Sequence, residues 1–277
     1  MAAAGFVLPA AVVYALFVVY PLVRSVLLSL TDSTGSPGAQ FVGLRQYRAV
    51  HTDPAVQTAL VHTLEYVVVV VVAQNVIGLA LASALFRRPR VRSALTTALL
   101  LPALLSPLLA AFVWSFLYAP GAGLRTALAD IGVHRLSSRV SGVAAVDVWM
   151  FVGVSCVVFL AGFTGMPRDL TDAADLDGAT GWTRFRLVEW PLLAPALTVS
   201  VTVSLVASLR MFELPLVIAG PEAQAQPLSA LVFQRIFATG STAFGYGSAI
   251  ALVLLCVVVL AGSVSTLLRA RAVRATP

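Results

Sequence analysis

Covalent chemistry needs a nucleophile, a base or a metal, and few residues of this chain could serve. Lysine is absent from all 277 residues. Without it there is no Walker A lysine to grip nucleotide phosphates and no Schiff base. The three histidines, His51, His62 and His134, show no HExxH spacing, and there is no GxSxG elbow. Cys156 and Cys256 lie inside apolar runs and are expected to be small buried hydrophobes, not a disulfide or a CxxC site. The expectation is a chain that is not an enzyme, with no catalytic residue, no cofactor and no metal.

The remaining chemistry-bearing residues are polar groups stranded in apolar sequence: Glu65, Gln74, Asn75, Asp147, Arg210 and Glu213. Such groups are costly in a membrane and face protein or water. Arg210 and Glu213 are three apart and fit a structural pair on one helix. They equally fit a solute route. Glu213 stands two residues before Pro215, where a broken helix would bare backbone carbonyls to a cavity. A carboxylate, free carbonyls and the Phe212 ring suit a sugar, with its hydroxyl donors and apolar ring faces. Arg210, Phe212 and Glu213 are therefore the candidate solute-pathway residues. Glu65 and Asp147 are nearer the ends of their runs and are expected at the interface.

A second constellation lies in the polar segment 164–190. Asp169, Asp172 and Asp175 follow i, i+3, i+6 spacing and share one face of a helix. Ala173 and Ala174 leave a low-profile surface beside Asp177, and Gly178 permits a sharp turn through Ala179. The short second helix that follows carries Arg184 and Arg186. On the residues alone, a solvated helical hairpin and a docking element both fit.

The elements that position these residues follow from composition. The chain is 59% hydrophobic and 11% charged, with mean hydropathy +0.94. A soluble fold of this length has no interior for that much apolar surface, but a bilayer does. Apolar runs near 6–30, 60–86, 94–118, 143–163, 192–219 and 244–268 predict an all-α integral membrane protein of about six transmembrane helices. It reads as a single domain over 1–277, with a helical loop between the fourth and fifth spans. The first run is too long for a cleavable signal peptide and lacks a basic leader.

The net charge of +6 comes entirely from arginine. The arginines cluster in short loops, which indicates membrane topology and not nucleic-acid binding. With the N-terminus inside, the cytosolic segments hold Arg87, Arg88, Arg90, Arg92, Arg168, Arg184, Arg186, Arg269, Arg271 and Arg274. The outer loops hold Arg45, Arg48, Arg125, Arg135, Arg139 and Arg235. This asymmetry predicts both termini in the cytosol, with the segment 164–190 on the same side.

The run from Asp172 through Asp177-Gly178-Ala179 to Phe185, ending Trp190-Pro191-Leu192-Leu193-Ala194-Pro195, resembles the EAA loop of binding-protein-dependent ABC importer permeases. That pattern is E-A-A-x-x-D-G-A, a phenylalanine, then a proline pair. Asp172 replaces the opening glutamate, and Trp190 replaces the leucine before the first proline. Phe41-Val42-Gly43-Leu44, Asp53-Pro54 and Gly245-Tyr246-Gly247-Ser248-Ala249 resemble further segments of the carbohydrate-uptake type, represented by maltose and glycerol-phosphate permeases. The resemblance implies a permease subunit in a bacterial or archaeal cell membrane, forming part of the route for a sugar or polyol. It implies Asp172, Ala173, Ala174, Asp177, Gly178 and Ala179 as the ATPase-coupling loop. The partners implied are a second homologous permease, two cytosolic ATP-binding subunits and an extracytoplasmic solute-binding protein. The alternative is an ion-coupled secondary transporter, which would not need the matched loop.

Overall fold

The computed structural model describes residues 2–36, 38–119, 140–220, 226–238 and 243–274. Arg125, Arg135 and Arg139 of the third loop lie outside them, as do the side chains of Arg168, Arg269, Arg271 and Arg274. The described residues are helical apart from loops and one isolated bridge between Thr31 and Phe41.

Helix α1 runs from Ala2–Tyr14 through a π turn at Ala15–Val19 into Tyr20–Ser29. The π turn contains Phe17, four residues before Pro21, whose missing N–H leaves the Phe17 carbonyl without its helical partner. Helix α2 (Arg45–Thr52) leads into α3 (Pro54–Phe86). Next come α4 (Pro89–Leu100), a 3-10 turn at Leu101–Leu104, and α5 (Pro107–Leu117). Helix α6 (Val140–Thr164) is followed by α7 (Arg168–Leu176) and α8 (Gly181–Arg184). The π turn Phe185–Glu189 and the short Trp190–Leu192 turn lead into α9 (Ala194–Arg210). The last helices are α10 (Leu228–Phe233) and α11 (Phe244–Arg274).

Among the described residues, four helices are long and apolar enough to cross a membrane, and the number rises to six if each bent pair counts as one span. The third expected span is bent by 91° between Pro89–Leu104 and Pro107–Leu117. Pro102 and Pro107 cause this, each removing a helical donor. The fifth bends by 69° between Gly181–Leu192 and Ala194–Arg210, beside Pro191 and Pro195. The expected run 192–219 is also not one helix. It stops at Arg210, and Met211 is extended (ψ 123°). Pro215 lies four residues on, so its ring would press on the Met211 carbonyl in a continued helix.

The chain divides into two compact units, residues 1–61 with 227–257 and residues 62–226 with 258–277. In the first, Val50, Val56, Ala59, Leu228, Leu231, Ala249 and Ile250 form the core. Asp53 anchors it. One carboxylate oxygen accepts from the Ala55 amide at 2.8 Å, capping α3. The other accepts from the Tyr246 hydroxyl at 2.6 Å and lies 3.5 Å from the Arg235 guanidinium. In the second unit α6 is the central helix, buried on most of its surface. Its small residues let neighbours approach closely, as in membrane helix packing generally. A Cβ at Gly153 would overlap the Leu99 carbonyl oxygen, and one on Gly78 of α3 would stand 2.8 Å from the Ser155 Cβ. Cys156 is buried in this unit as expected, whereas Cys256 is exposed on α11.

Candidate functional site

Two sites emerge, both within the second unit. The first is the segment 168–192. Its turn is a Schellman motif in full. The Ala179 amide donates to the Ala174 carbonyl at 3.0 Å, and the Gly178 amide donates to the Asp175 carbonyl at 3.2 Å. Gly178 sits at φ +73°, the left-handed position the motif requires. Ala174 is buried and Ala179 half-buried, making the small apolar contact that accompanies such caps. Asp172, Ala173 and Asp177 are exposed. The six residues singled out thus divide into three that close the turn and three that face outward.

The turn is tied down by ion pairs around Glu189, a residue that no sequence motif marks. Arg184 pairs with Asp175 of α7, and its Nε donates to Glu189 Oε1 at 3.1 Å. The same Glu189 oxygen lies 3.7 Å from a guanidinium nitrogen of Arg87, in the turn between α3 and α4. Glu189 is only 4% exposed, and its Oε2 has no hydrogen-bond partner. A buried carboxylate between two arginines therefore fastens the loop to the end of α3. Five residues separate Glu189 from Arg184, and a hundred from Arg87, so only the fold brings the three together. Around this anchor, Leu176 (89%) and Trp182 (72%) are exposed, and Trp182 stacks on Phe185 at 5.4 Å.

The second site is a small, mostly apolar cavity among α3, α6 and α9 with several polar side chains in its wall. Its lining includes Gln74, Asp147, Ser155, Ser200, Ser204 and Ser208, with Phe151, around a volume of about 50 Å³. That is room for a few waters. Asp147 is not interfacial but buried, at 3% exposure. Its Oδ2 accepts from the Tyr66 hydroxyl at 2.7 Å, and Gln74 Nε2 reaches its backbone carbonyl at 3.4 Å. Asn75 Nδ2 donates to Ser204 Oγ at 3.0 Å. Ser200 Oγ and Asn75 Oδ1 are buried without a partner. Serines 200, 204 and 208 stand at i, i+4, i+8 on α9, a stripe that sequence periodicity could have revealed.

Arg210 and Glu213 do not share a helix, because α9 ends between them, and no ion pair joins them among the described residues. Arg210 is exposed, while Phe212 and Glu213 are half-buried. The Phe212 amide donates to Glu213 Oε2 at 3.3 Å. Met211 and Leu214 pack in one core cluster with Tyr66, Val143, Val146 and Met150. The break at Met211 and the Tyr66–Asp147 pair thus share a neighbourhood.

The family of binding-protein-dependent transport system inner membrane components matches over residues 74–274. The chain belongs to this family. It is an integral membrane permease subunit, and ATP hydrolysis resides on partner subunits. It is 28% identical to the probable starch degradation products transport system permease protein AmyD of Thermoanaerobacterium thermosulfurigenes, over 92% of this chain and 89% of that one. It is 30% identical to the trehalose transport system permease protein SugA of Mycobacterium tuberculosis, over 92% and 84%. A bacterial alginate ABC transporter, solved with a pentasaccharide-bound periplasmic protein, contains a chain of the same fold. The TM-score is 0.81 at 18% identity, over 94% of this chain and 91% of that one.

Proposed function

We propose that this permease forms one half of the route for a sugar or polyol, with segment 168–190 as its docking element for a cytosolic ATPase. Both termini then lie in the cytosol, the orientation that the arginine asymmetry favours. The second half of the route comes from a homologous permease, and solute arrives on an extracytoplasmic binding protein. The carbohydrate class rests on the starch-product and trehalose relatives. It also fits a route lined by hydroxyls, an amide and carboxylates beside aromatic rings, since sugars offer many donors and two apolar faces.

The observation that carries the coupling role is the Glu189 anchor. Arg184 and Arg87 fasten a cap-closed loop to the end of a membrane helix. Leu176 and Trp182 protrude from that loop, apolar surface suited to a protein cleft. Displacement of the docked loop therefore passes to α3 and, through Pro191 and Pro195, to α9. Alternating access by rigid-body rocking needs a link of that kind.

On the membrane side, Glu213 lines the solute route at the break after α9. The test is Glu213→Ala in the reconstituted four-subunit complex. Transport of the cognate sugar should fall while assembly and basal ATP hydrolysis persist. Wild-type transport by a fully assembled variant would remove Glu213 from the route. Failure of ATPase subunits to co-purify with the chain would overturn the coupling reading itself.

A further inference from the structure

Helix α4 begins against its own dipole. Arg88 is its N-cap, Arg90 and Arg92 follow Pro89 and Val91, and the first turn holds no acidic residue. Pro89 brings no N–H, and the Val91 amide already donates to the Arg88 carbonyl at 3.3 Å, so the turn offers an anion its guanidiniums more than its amides. A helix N-terminus carries partial positive charge and favours anions, so three guanidiniums there repel both the pole and one another. Arg88, Arg90 and Arg92 make no ion pair among the described residues, in contrast to Arg87. Arg88 and Arg90 are exposed. An anion at this turn would satisfy the unpaired guanidiniums.

Beside the same turn is an open apolar groove of about 640 Å³, lined by Leu81 and Leu85 of α3 and by Leu95 and Leu99 of α4, with Arg87 and Arg88 also on its wall. The arginine turn follows directly on α3, which ends at Phe86 and is apolar enough to cross a membrane. From Pro89 to Leu99, α4 rises about 15 Å at 1.5 Å per residue. That length matches one acyl chain, about half of a hydrocarbon core of about 30 Å. The groove is thus long enough for an acyl chain, with a cationic turn at its rim.

We propose that the α3–α4 turn and groove bind one anionic phospholipid. Its phosphate lies on Arg88 and Arg90, and an acyl chain follows the leucines. Net negative charge is what the site selects, since a zwitterionic headgroup would bring a second cation to a turn already rich in them. The lipid would sit against Arg87, and so beside the Glu189 contact that holds the coupling loop.

The test uses the assembled transporter in detergent, stripped of lipid and titrated with phosphatidylglycerol or phosphatidylcholine, with bound lipid counted by native mass spectrometry. The wild-type complex should retain phosphatidylglycerol several-fold better than phosphatidylcholine. Arg88→Gln with Arg90→Gln should lose one phosphatidylglycerol per permease and erase that preference. Ala98→Trp, which fills the groove and keeps every charge, should lose the same lipid. Leu95→Ser, which makes the groove wall polar, serves as the milder groove variant if the tryptophan impairs assembly. Retention of the lipid by the arginine variant overturns the proposal, and so does retention by both groove variants. Efficient cross-linking of Ala98→Cys to the second permease also overturns it, because a protein helix would then occupy the groove.

Discussion

The Ala179 amide donates to the Ala174 carbonyl at 3.0 Å, across a turn whose central residue, Gly178, stands at φ +73°. The spacing between the two alanines is the spacing of a helix cap. Replacing Gly178 by valine puts a β-branched side chain in the left-handed region, at about 1–2 kcal/mol for the handedness alone. No heavy atom lies within 4 Å of where its Cβ would stand, so the damage is conformational and not a clash. The expected result is normal membrane insertion with lost transport and lost solute-stimulated ATP hydrolysis. Reconstituted complex with both activities at wild-type level would dissociate the cap from coupling.

Glu189 should be the most sensitive residue of the loop. Removing one partner of a buried ion pair leaves an uncompensated charge, at roughly 3–5 kcal/mol. Arg184→Ala removes the 3.1 Å partner and leaves Glu189 only Arg87 at 3.7 Å, so the loss should stay below that range, and Arg87→Ala, at a side chain more than half exposed, should matter less still. The double variant Arg184→Gln with Glu189→Gln should lose less stability than the two single losses added together. Thermal unfolding of the four proteins in detergent gives the cycle. Strict additivity would mean that the two groups do not interact.

Tyr66→Phe tests the membrane pair. It removes the hydroxyl that Asp147 accepts at 2.7 Å and leaves a buried carboxyl short of a partner, at about 1–3 kcal/mol. A lower melting temperature is expected from Tyr66→Phe. Asp147→Asn should be milder, because an amide oxygen still accepts from the tyrosine. The reverse order would show that charge, not the hydrogen bond, stabilises the cluster.

Asp53 supplies a pH dependence. Burial raises its pKa, but the Tyr246 hydroxyl, the Ala55 amide, Arg235 and the Val56 amide together lower it below the ordinary 3.8. A group whose folded pKa is depressed contributes stability above the unfolded value and loses it as pH falls through the folded one. Wild-type protein should therefore be more stable than Asp53→Asn at neutral pH, and the gap should narrow only below about pH 4, near the unfolded carboxylate value. Unfolding temperatures of both proteins across that range measure it. A gap that does not change with pH would assign the effect to helix capping and not to charge.

Much of this was legible along the chain. The apolar runs located the membrane segments, because each helix in lipid must satisfy its own backbone, although the third run is bent by 91° and the helix of the run 192–219 stops at Arg210. Pro215 marked the break near Glu213, since proline acts on the carbonyl four residues earlier. The Ala174–Ala179 cap was readable because its hydrogen bonds are local. Contacts between distant residues were not readable. No local spacing points from Glu189 to Arg87, which the fold sets beside it. Asp147 looked interfacial by its place near a span's start, yet Tyr66 and Gln74, more than seventy positions away, bury it. Arg210 and Glu213 have the spacing of a helical pair, but the helix ends between them. Local spacing determines local hydrogen bonds and the length of each span. Which charges are buried, and against what, depends on how the helices pack, and that was decided only by the tertiary structure.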